Sequence, residues 1–356
     1  MRRLWKYRKK ILYNEYEPKS QLIVGETRIE RSRYSLIDGH AHFGGRIPGD
    51  PFEDRYDIGN TVEQLKIRGV KKCVELTLFN RENWERVHEK LQGYEDYFVF
   101  CAPIDLSGMG RPDFDCWICG EMERYVREGA AGFKVWKDLG LRLRDEDGKR
   151  IPINSPRLKA VWDKAAELDK PVVIHVADPP AFFEPADRYN ERLEEIVQYH
   201  FWHHYGKGLE FKSFMEQLND LLEKNPGTDF LAAHLCSYPG NLDYVSDLLT
   251  RHENLYTDVA AVLSEIGRQP RRFRRFVQEH PGRILFGTDF FAGDPLPYIP
   301  YFRFLETEDE YFSYSPSGGY EHGRWRIYGC GLEDELLKNL YYRNAEKFFG
   351  INGEEE

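Results

Sequence analysis

The chain is short of positive charge, of long apolar runs and of cysteine. It has 50 basic and 60 acidic residues and a net charge of −10, so it lacks the basic surface typical of nucleic-acid-binding proteins. No apolar stretch approaches the roughly 18 residues of a transmembrane helix. Six cysteines among 356 residues do not make a disulfide scaffold. We therefore expect a cytoplasmic protein with reduced thiols and neither nucleic acid nor membrane as partner.

The cysteine spacing and the two ends of the chain indicate little chemistry. Cys116 and Cys119 form a C-x-x-C pair. No second pair completes a zinc site, which favours a structural role over a redox or half-zinc one. Six of the first ten residues, between Arg2 and Lys10, are basic, but no apolar run follows, so a secretory signal is not expected. We expect residues 1–34 to be an extension, 35–350 the main domain and 351–356 an acidic tail.

The extension carries one structural signal. Gln21–Val24 and Thr27–Glu30 are short strand-like runs on either side of Gly25-Glu26. Short runs of this kind separated by a glycine-containing pair are typical of a β-hairpin. The sequence therefore predicts a short N-terminal hairpin before the main domain.

From Leu36 onward, short apolar runs alternate with helical patterns. The predicted strands are 36–43, 70–78, 97–104, 131–135, 171–176, 228–233, 255–259 and 283–287, and the predicted helices are 61–68, 81–91, 119–127, 155–168, 214–224, 242–250, 271–279 and 333–348. Alternating strands and helices favour a parallel sheet. Eight such units predict an α/β fold of the (β/α)₈ TIM-barrel type, with functional residues at the carboxyl ends of the strands.

Polar side chains end several of these strands and should therefore ring one mouth of the barrel. They are His40 and His42 on the first strand, Lys134 on the fourth, His175 on the fifth, His234 on the sixth and Asp289 on the eighth. His40 and His42 are two residues apart and should point the same way, because strand side chains alternate with period 2. Imidazole and carboxylate together are typical ligands of a transition metal.

The metal ligands that we predict are His40, His42, His175 and Asp289. They would hold one divalent ion, Zn²⁺ first and Mn²⁺ or Fe²⁺ as alternatives, with a position open for water or substrate. Such an ion lowers the pKa of water toward about 7. Asp289 would also be the general base, and His234 would polarise a carbonyl or bind a second ion. For Lys134, a catalytic electrostatic or substrate-binding role is favoured over carboxylation and the bridging of two metals.

Long connections cover the same mouth. Ala177–Lys212 and Ala292–Gly331 are the two longest, and loops at this face carry function. The segment Tyr199–Tyr205 is rich in aromatic residues and histidine. It is either a lid whose His203 and His204 contact substrate or a packed Ω-loop. Arg268, after the seventh strand, is placed to bind a substrate carboxylate bidentately.

The motifs together resemble a known family. Ile37-Asp38-Gly39-His40-Ala41-His42, the strand ending at His175, Ala233-His234 and Leu285-Phe286-Gly287-Thr288-Asp289 resemble the amidohydrolase superfamily. The closer likeness is to the amidohydrolase-related branch that includes aminocarboxymuconate semialdehyde decarboxylase, and residues 342–348 are similar to that branch's closing helix. The resemblance covers about residues 36–350. It implies a distorted barrel, a single divalent metal, and either hydrolysis or non-oxidative decarboxylation.

Three functions fit these observations to different degrees. The first is a metal-dependent hydrolase of an amide, ester or lactone in a small substrate. The second is a metal-dependent decarboxylase of an aromatic or muconate-like acid. The third is a binding protein with a relic barrel, which the intact ligand set disfavours. We favour hydrolysis, because the ligand set supplies everything that this route requires. The expected partner is a small-molecule substrate, and assembly into a homo-oligomer stays open.

Overall fold

The main domain is built around one parallel sheet. The computed structural model describes residues 15–16, 18–47, 49–77 and 79–351. In these residues nine strands lie in the spatial order β8-β7-β6-β5-β4-β3-β2-β1-β9. The strands are β1 (Leu36–His42), β2 (Val70–Glu75), β3 (Phe98–Pro103), β4 (Gly132–Val135), β5 (Val172–Ile174), β6 (Phe230–Ala232), β7 (Leu255–Asp258), β8 (Ile284–Leu285) and β9 (Phe290–Phe291). All eight pairings are parallel.

The sheet curls until its two ends meet. The amide of Gly39 in β1 donates to the carbonyl of Phe286, just after β8, at 2.9 Å. The amide of Asp289 donates to the carbonyl of His40 at 2.8 Å. The sheet is therefore a distorted (β/α)₈ TIM barrel, as the sequence predicts. The short strands β8 and β9 together take the place of the eighth strand, since β8 pairs with β7 and β9 pairs with β1.

Seven of the eight predicted helices lie within about five residues of their predicted bounds, and the eighth, 333–348, is divided into two short α-helices by a π-helical turn over Asn339–Arg343. The helices of nine or more residues are Ile58–Ile67, Arg81–Lys90, Phe114–Arg127, Lys159–Glu167, Phe211–Lys224, Leu242–Arg251, Pro270–Glu279 and Tyr298–Glu306. Side-chain caps fix several starts: Asp57, for example, accepts from the amide of Asn60 at 2.7 Å, satisfying a donor that the helix leaves free. Shorter helices are Leu193–Gln198, Leu263–Ile266, Asp334–Lys338 and Asn344–Phe349.

Two apolar layers hold the barrel together. The larger lies between the sheet and the surrounding helices. The smaller fills the barrel and includes Ile37, Val74, Cys101, Val173, Leu231 and Leu285. Phe348 and Phe349 of the last helix pack against this inner layer, near the residues that begin the strands. The packed interior leaves the carboxyl ends of the strands as the place for polar chemistry.

Two expectations about the periphery of the barrel need correction, and a third concerns residues that the structure does not describe. The predicted hairpin at residues 21–30 is wrong: this segment is unpaired coil, and Thr27 instead hydrogen-bonds to Asp309. The second long connection is not all loop, since it contains the helix Tyr298–Glu306. The basic stretch between Arg2 and Lys10 and the acidic residues after 351 lie outside the described residues.

Two further observations concern the C-x-x-C cysteines and the possibility of a membrane-spanning helix. Cys116 and Cys119 are both free thiols and lie in the helix Phe114–Arg127. Within the described part of the chain, every helix is too short or too polar to span a bilayer.

Candidate metal centre and active-site cavity

Two histidines and an aspartate converge at the mouth of the barrel. Asp289 Oδ1 lies 2.8 Å from His42 Nε2 and 3.5 Å from His40 Nε2. Both histidines are fully buried at the end of β1, as the alternation of strand side chains predicts. Potential ligand atoms of these three residues all lie within 4.8 Å of one another. The structure thus brings three of the four predicted ligands together.

Glycine at two positions allows the eighth strand to approach β1 this closely. A Cβ on Gly39 would lie 2.9 Å from the carbonyl oxygen of Phe286. A Cβ on Gly287 would lie 2.8 Å from the Cβ of His40. Contacts below 3.0 Å at backbone or Cβ atoms force a shift, so larger residues here would push Asp289 away from the histidines.

The far nitrogen of each imidazole is held by the protein. His40 Nδ1 donates to Asp258 Oδ2 at 2.7 Å, and Asp258 Oδ1 also accepts the amides of His234 at 2.7 Å and Ala260 at 3.2 Å. His42 Nδ1 lies 3.1 Å from the Thr77 hydroxyl. Partners of this kind fix the ring orientation and leave Nε2 to face the centre. Asp258 therefore orients His40 rather than serving as a free ligand.

His234 is a third imidazole that the protein holds through its Nδ1 atom. Its Nδ1 donates to the carbonyl of Ala260 at 2.9 Å, so its Nε2 carries a lone pair. That Nε2 is buried and has no hydrogen-bond partner among the described residues. Its ring centroid lies 4.8 Å from that of His40. A buried acceptor without a partner is costly unless a ligand engages it.

The backbone that presents His234 is strained. Four successive residues, His234 to Ser237, have φ between 51° and 58°. Left-handed conformations cost roughly 1–2 kcal/mol per residue outside glycine. Asp258 stabilises the turn by accepting the amide of His234, and Ala233 and His234 carbonyls accept from Ser237. Asp289 is also left-handed, with φ 61°. Strain that clusters at polar side chains in this way is typical of a functional site.

His175 and Lys134 lie beside this group. The His175 ring packs against His234, with centroids 4.5 Å apart, and lines the cavity above. It is therefore next to the His40–His42–Asp289 cluster without belonging to it. Lys134 is 1% exposed, and its Nζ has no hydrogen-bond partner in the described structure. Burial lowers the pKa of Lys134 to about 8, although the charges of Asp258 and Asp289 oppose that shift.

Burial and mutual charge tune the other groups. Burial is the main cause that lowers the pKa of His40 and of His42, and it lowers the pKa of His234 to about 4. Burial alone would raise the pKa of Asp289, but the hydrogen bond with His42 and the positive charges that the histidines carry when protonated outweigh burial and lower that pKa. At neutral pH the imidazoles are therefore neutral and Asp289 is ionised, which are the states that a metal requires.

The donor set fits a divalent transition metal. It offers neutral imidazole nitrogens oriented through their far atoms, one ionised carboxylate, and the unpartnered Nε2 of His234 close by. Imidazole with carboxylate is the combination that Zn²⁺, Fe²⁺ and Mn²⁺ accept.

A cavity of about 200 Å³ opens above the histidines. Its lining includes His175, His234 and Asp289 at one side and Lys137, Asp178, Phe182, Arg192, Glu195, Trp202, Glu265 and His322 around the rest. Many of these belong to the two long connections that were expected to cover the mouth. The volume suits a small substrate.

The three predicted substrate-binding residues lie outside this lining. The Arg268 guanidinium donates to the carboxylate of Glu191 at 2.8 Å and stacks on Trp325, so its bidentate position is already taken. His203 Nε2 donates to the carbonyl of Glu184. His204 is buried behind the cavity wall, 2.7 Å from Asp178. Within the segment 199–205, Trp202 reaches the cavity, whereas Tyr199, Phe201 and Tyr205 are exposed to solvent.

Several residues at the site were missed from sequence. Asp258 ends β7 and could have been found by the strand-end rule that identified the histidines. Arg192, Glu195 and His322 lie in the two long connections, 177–212 and 292–331, and the sequence holds no signal that brings them to the cavity.

Comparisons with known proteins agree with this fold. The sequence model described as amidohydrolase matches residues 37–351. No curated protein matches the chain significantly. The fold is similar to that of 2,6-dihydroxybenzoate decarboxylase from Rhizobium (TM-score 0.56, 15% identity, 90% of this chain and 100% of that chain).

Two further solved structures share the fold. One is 5-carboxyvanillate decarboxylase from Sphingomonas paucimobilis (TM-score 0.53, 13% identity, 89% of this chain and 99% of that chain). The other is an uncharacterised TIM-barrel protein from Bordetella bronchiseptica (TM-score 0.53, 14% identity, 89% and 98%). At these identities the likeness shows the fold alone. The family match spans most of the chain, and the chain therefore belongs to the amidohydrolase family.

Proposed function

We propose that this protein is a metal-dependent hydrolase that cleaves an amide, ester or lactone bond of a small substrate. The observation that supports the proposal best is the set of imidazoles held through Nδ1 with Nε2 directed toward Asp289 or left without a partner. Oriented neutral imidazoles beside an ionised carboxylate have no evident structural purpose, because burying them costs stability. They are what a catalytic metal site requires.

The residues that would hold the ion are His40, His42 and Asp289, with His175 as a fourth ligand. Zn²⁺ is the first choice for this donor set. When bound, the ion supplies Lewis-acid activation of water and of the substrate carbonyl.

Asp289 would take the proton of the attacking water. Its carboxylate is ionised at neutral pH, since the neighbouring imidazoles lower its pKa. The histidines that ligate must stay deprotonated and cannot shuttle protons at the same time. General-base catalysis of this kind contributes about 10²–10⁴-fold.

His234 and Lys134 would support the reacting group. His234 Nε2 is buried beside the cluster and is free to bind the ion or a substrate group. The buried Lys134 ammonium interacts with the charges of Asp258 and Asp289. A positive charge in this position would stabilise negative charge that develops on the substrate.

The reaction class can be tested with zinc-loaded protein and a panel of small lactones, esters, amides and aromatic acids in ¹⁸O-labelled water. We expect ¹⁸O in the acid product of a lactone, ester or amide and no release of CO₂. The matched variant Asp289→Asn should lose this activity. Release of CO₂ from an aromatic acid without hydrolysis of any panel member would contradict the proposal and indicate a decarboxylase.

A further inference from the structure

One side of the cavity is built from ionised and polar groups that the proposed chemistry does not use. We call the group Arg192, Glu195, Glu265 and His322 the carboxylate wall. Arg192 and Glu195 come from the connection after β5, Glu265 from the segment after β7, and His322 from the connection after β9. All four line the cavity that also contains His175, His234 and Asp289.

The wall holds more negative than positive charge. The Arg192 guanidinium donates to Glu195 at 2.6 Å and also to Glu265. The three side chains are 4%, 9% and 6% exposed, so these charges are shielded from solvent. One guanidinium faces two carboxylates, and among the described residues nothing donates to Glu195 Oε1. The wall therefore has an excess of one negative charge and a carboxylate oxygen available to a ligand.

The hydrogen bonds behind His322 fix which of its nitrogens carries the proton. The Ser264 hydroxyl donates to Glu265 Oε2 at 2.7 Å, and the same hydroxyl lies 2.7 Å from His322 Nδ1. Ser264 has one proton to give, and an ionised carboxylate can only accept it. His322 Nδ1 must therefore donate to the Ser264 oxygen. The other nitrogen, Nε2, is left as an acceptor on a side chain that lines the cavity.

We propose that the carboxylate wall binds a cationic amino group at the non-reacting end of the substrate, with Glu195 Oε1 and His322 Nε2 as acceptors. An ammonium has three donors and one positive charge, so it matches both the acceptors and the excess charge. A carboxylate at that end would meet two carboxylates and an imidazole lone pair. The assignment of a substrate rests on the proposed hydrolysis, whereas the binding preference does not.

Lys137, the cation on the opposite side of the cavity, does not reverse this preference for an ammonium over a carboxylate. Lys137 is paired with Asp178, whose second oxygen is bonded to His204. That pair is neutral overall and is already engaged. The cavity thus offers no unpaired guanidinium or ammonium among its lining residues to hold a second carboxylate.

A matched series of probes tests the preference directly. N-acetyl-1,4-diaminobutane, 4-acetamidobutanoate and N-butylacetamide share an acetamide and differ at the far end as ammonium, carboxylate and methyl. Dissociation constants are measured by ligand-observed NMR with the full chain, both chelator-treated and loaded with zinc. The chelator-treated sample excludes binding of the amine to the ion.

We expect the diamine derivative to bind at least about tenfold more tightly than the other two, the gain typical of hydrogen bonds to charged groups. His322→Leu and Glu195→Gln should each reduce that advantage by several-fold. The control is His280→Leu, because His280 makes an equivalent 2.7 Å contact with Ser246 Oγ away from the cavity. It should leave the advantage unchanged. Circular dichroism identifies variants that fail to fold, and two wall variants keep the test independent of either one.

Equal or tighter binding of the butanoate, or no binding of the diamine, would overturn the inference. The inference would also be overturned if both wall variants folded and still bound the diamine derivative as much more tightly than the other two probes as the unaltered protein does. Failure of the proposed function would look different from failure of this inference. The diamine derivative would still bind at the carboxylate wall of zinc-loaded protein, but it would keep its acetyl group, and no other panel substrate would be hydrolysed.

Discussion

Replacing Asp258 by asparagine should weaken metal binding without touching a ligand. The Asp258 carboxylate accepts from His40 Nδ1 at one oxygen and from the amides of His234 and Ala260 at the other. Asparagine has one acceptor oxygen, and the two backbone amides would retain it. Its NH₂ group would then face His40 Nδ1. Two donors cannot share that contact, so His40 would move its proton to Nε2 and lose the lone pair that the ion needs.

The size of the effect follows from similar substitutions. Removing the partner that orients a ligating histidine typically costs 10–100-fold in metal affinity, or about 1.4–2.7 kcal/mol. The affinity can be measured by competition with a chromophoric zinc chelator. A suitable control is Asp163→Asn, because Lys159 is the one partner of Asp163 among the described residues and the pair lies on the surface. Its affinity should match that of the unaltered protein.

The result that would refute this reasoning is an Asp258→Asn protein that folds and binds zinc within about threefold of the unaltered affinity. His40 would then not be a ligand that depends on Asp258, and the ion would have to lie elsewhere in the cluster.

Four other predictions concern the chemistry, the pH dependence of stability and the covering loops. Asp289→Asn should lower turnover by at least about 10²-fold even where metal is retained; near-normal turnover with bound metal would place the base elsewhere. His234→Asn should lower turnover with metal content near normal, and full turnover would exclude a role for Nε2. Burial lowers the folded pKa of His234 to about 4, below its ordinary 6.5, so the unfolded chain binds more protons between these values and stability falls as pH falls. Between about pH 7.5 and 5.5, chelator-treated protein should therefore lose about 1.4 kcal/mol more unfolding free energy than His234→Asn, and equal losses in denaturant titrations would contradict the shift. Residues 177–212 and 292–331 should gain hydrogen-exchange protection when a tight ligand binds, whereas unchanged protection would make them peripheral.

The sequence predicts the barrel because its signals are local. Each strand is a short apolar run and each helix has a 3.6-residue pattern, so the predicted strand 70–78 and helix 271–279 differ from the observed ones by a few residues. The rule that strand ends carry function then identifies His40, His42 and Asp289 without knowledge of their contacts. The hairpin at 21–30 fails because a two-stranded hairpin that packs against nothing is only marginally stable in water, whatever its local propensity.

The rest of the site depends on contacts that no local pattern encodes. Arg192, Glu265 and His322 are distant in the chain and meet only because three loops pack together. Arg268 follows the seventh strand, where a substrate-binding residue is expected, but its guanidinium is already paired with the carboxylate of Glu191. Pairings of this kind are decided by loop conformation, which is the least predictable part of a barrel.

The measurement that tests the central claim most directly is the metal content of the purified protein and of the double variant His40→Ala/His42→Ala, after incubation with zinc and removal of unbound ion. We predict about one divalent ion per chain in the unaltered protein and almost none in the variant, with the same far-ultraviolet circular dichroism for both. Full metal occupancy in a folded double variant would contradict the account.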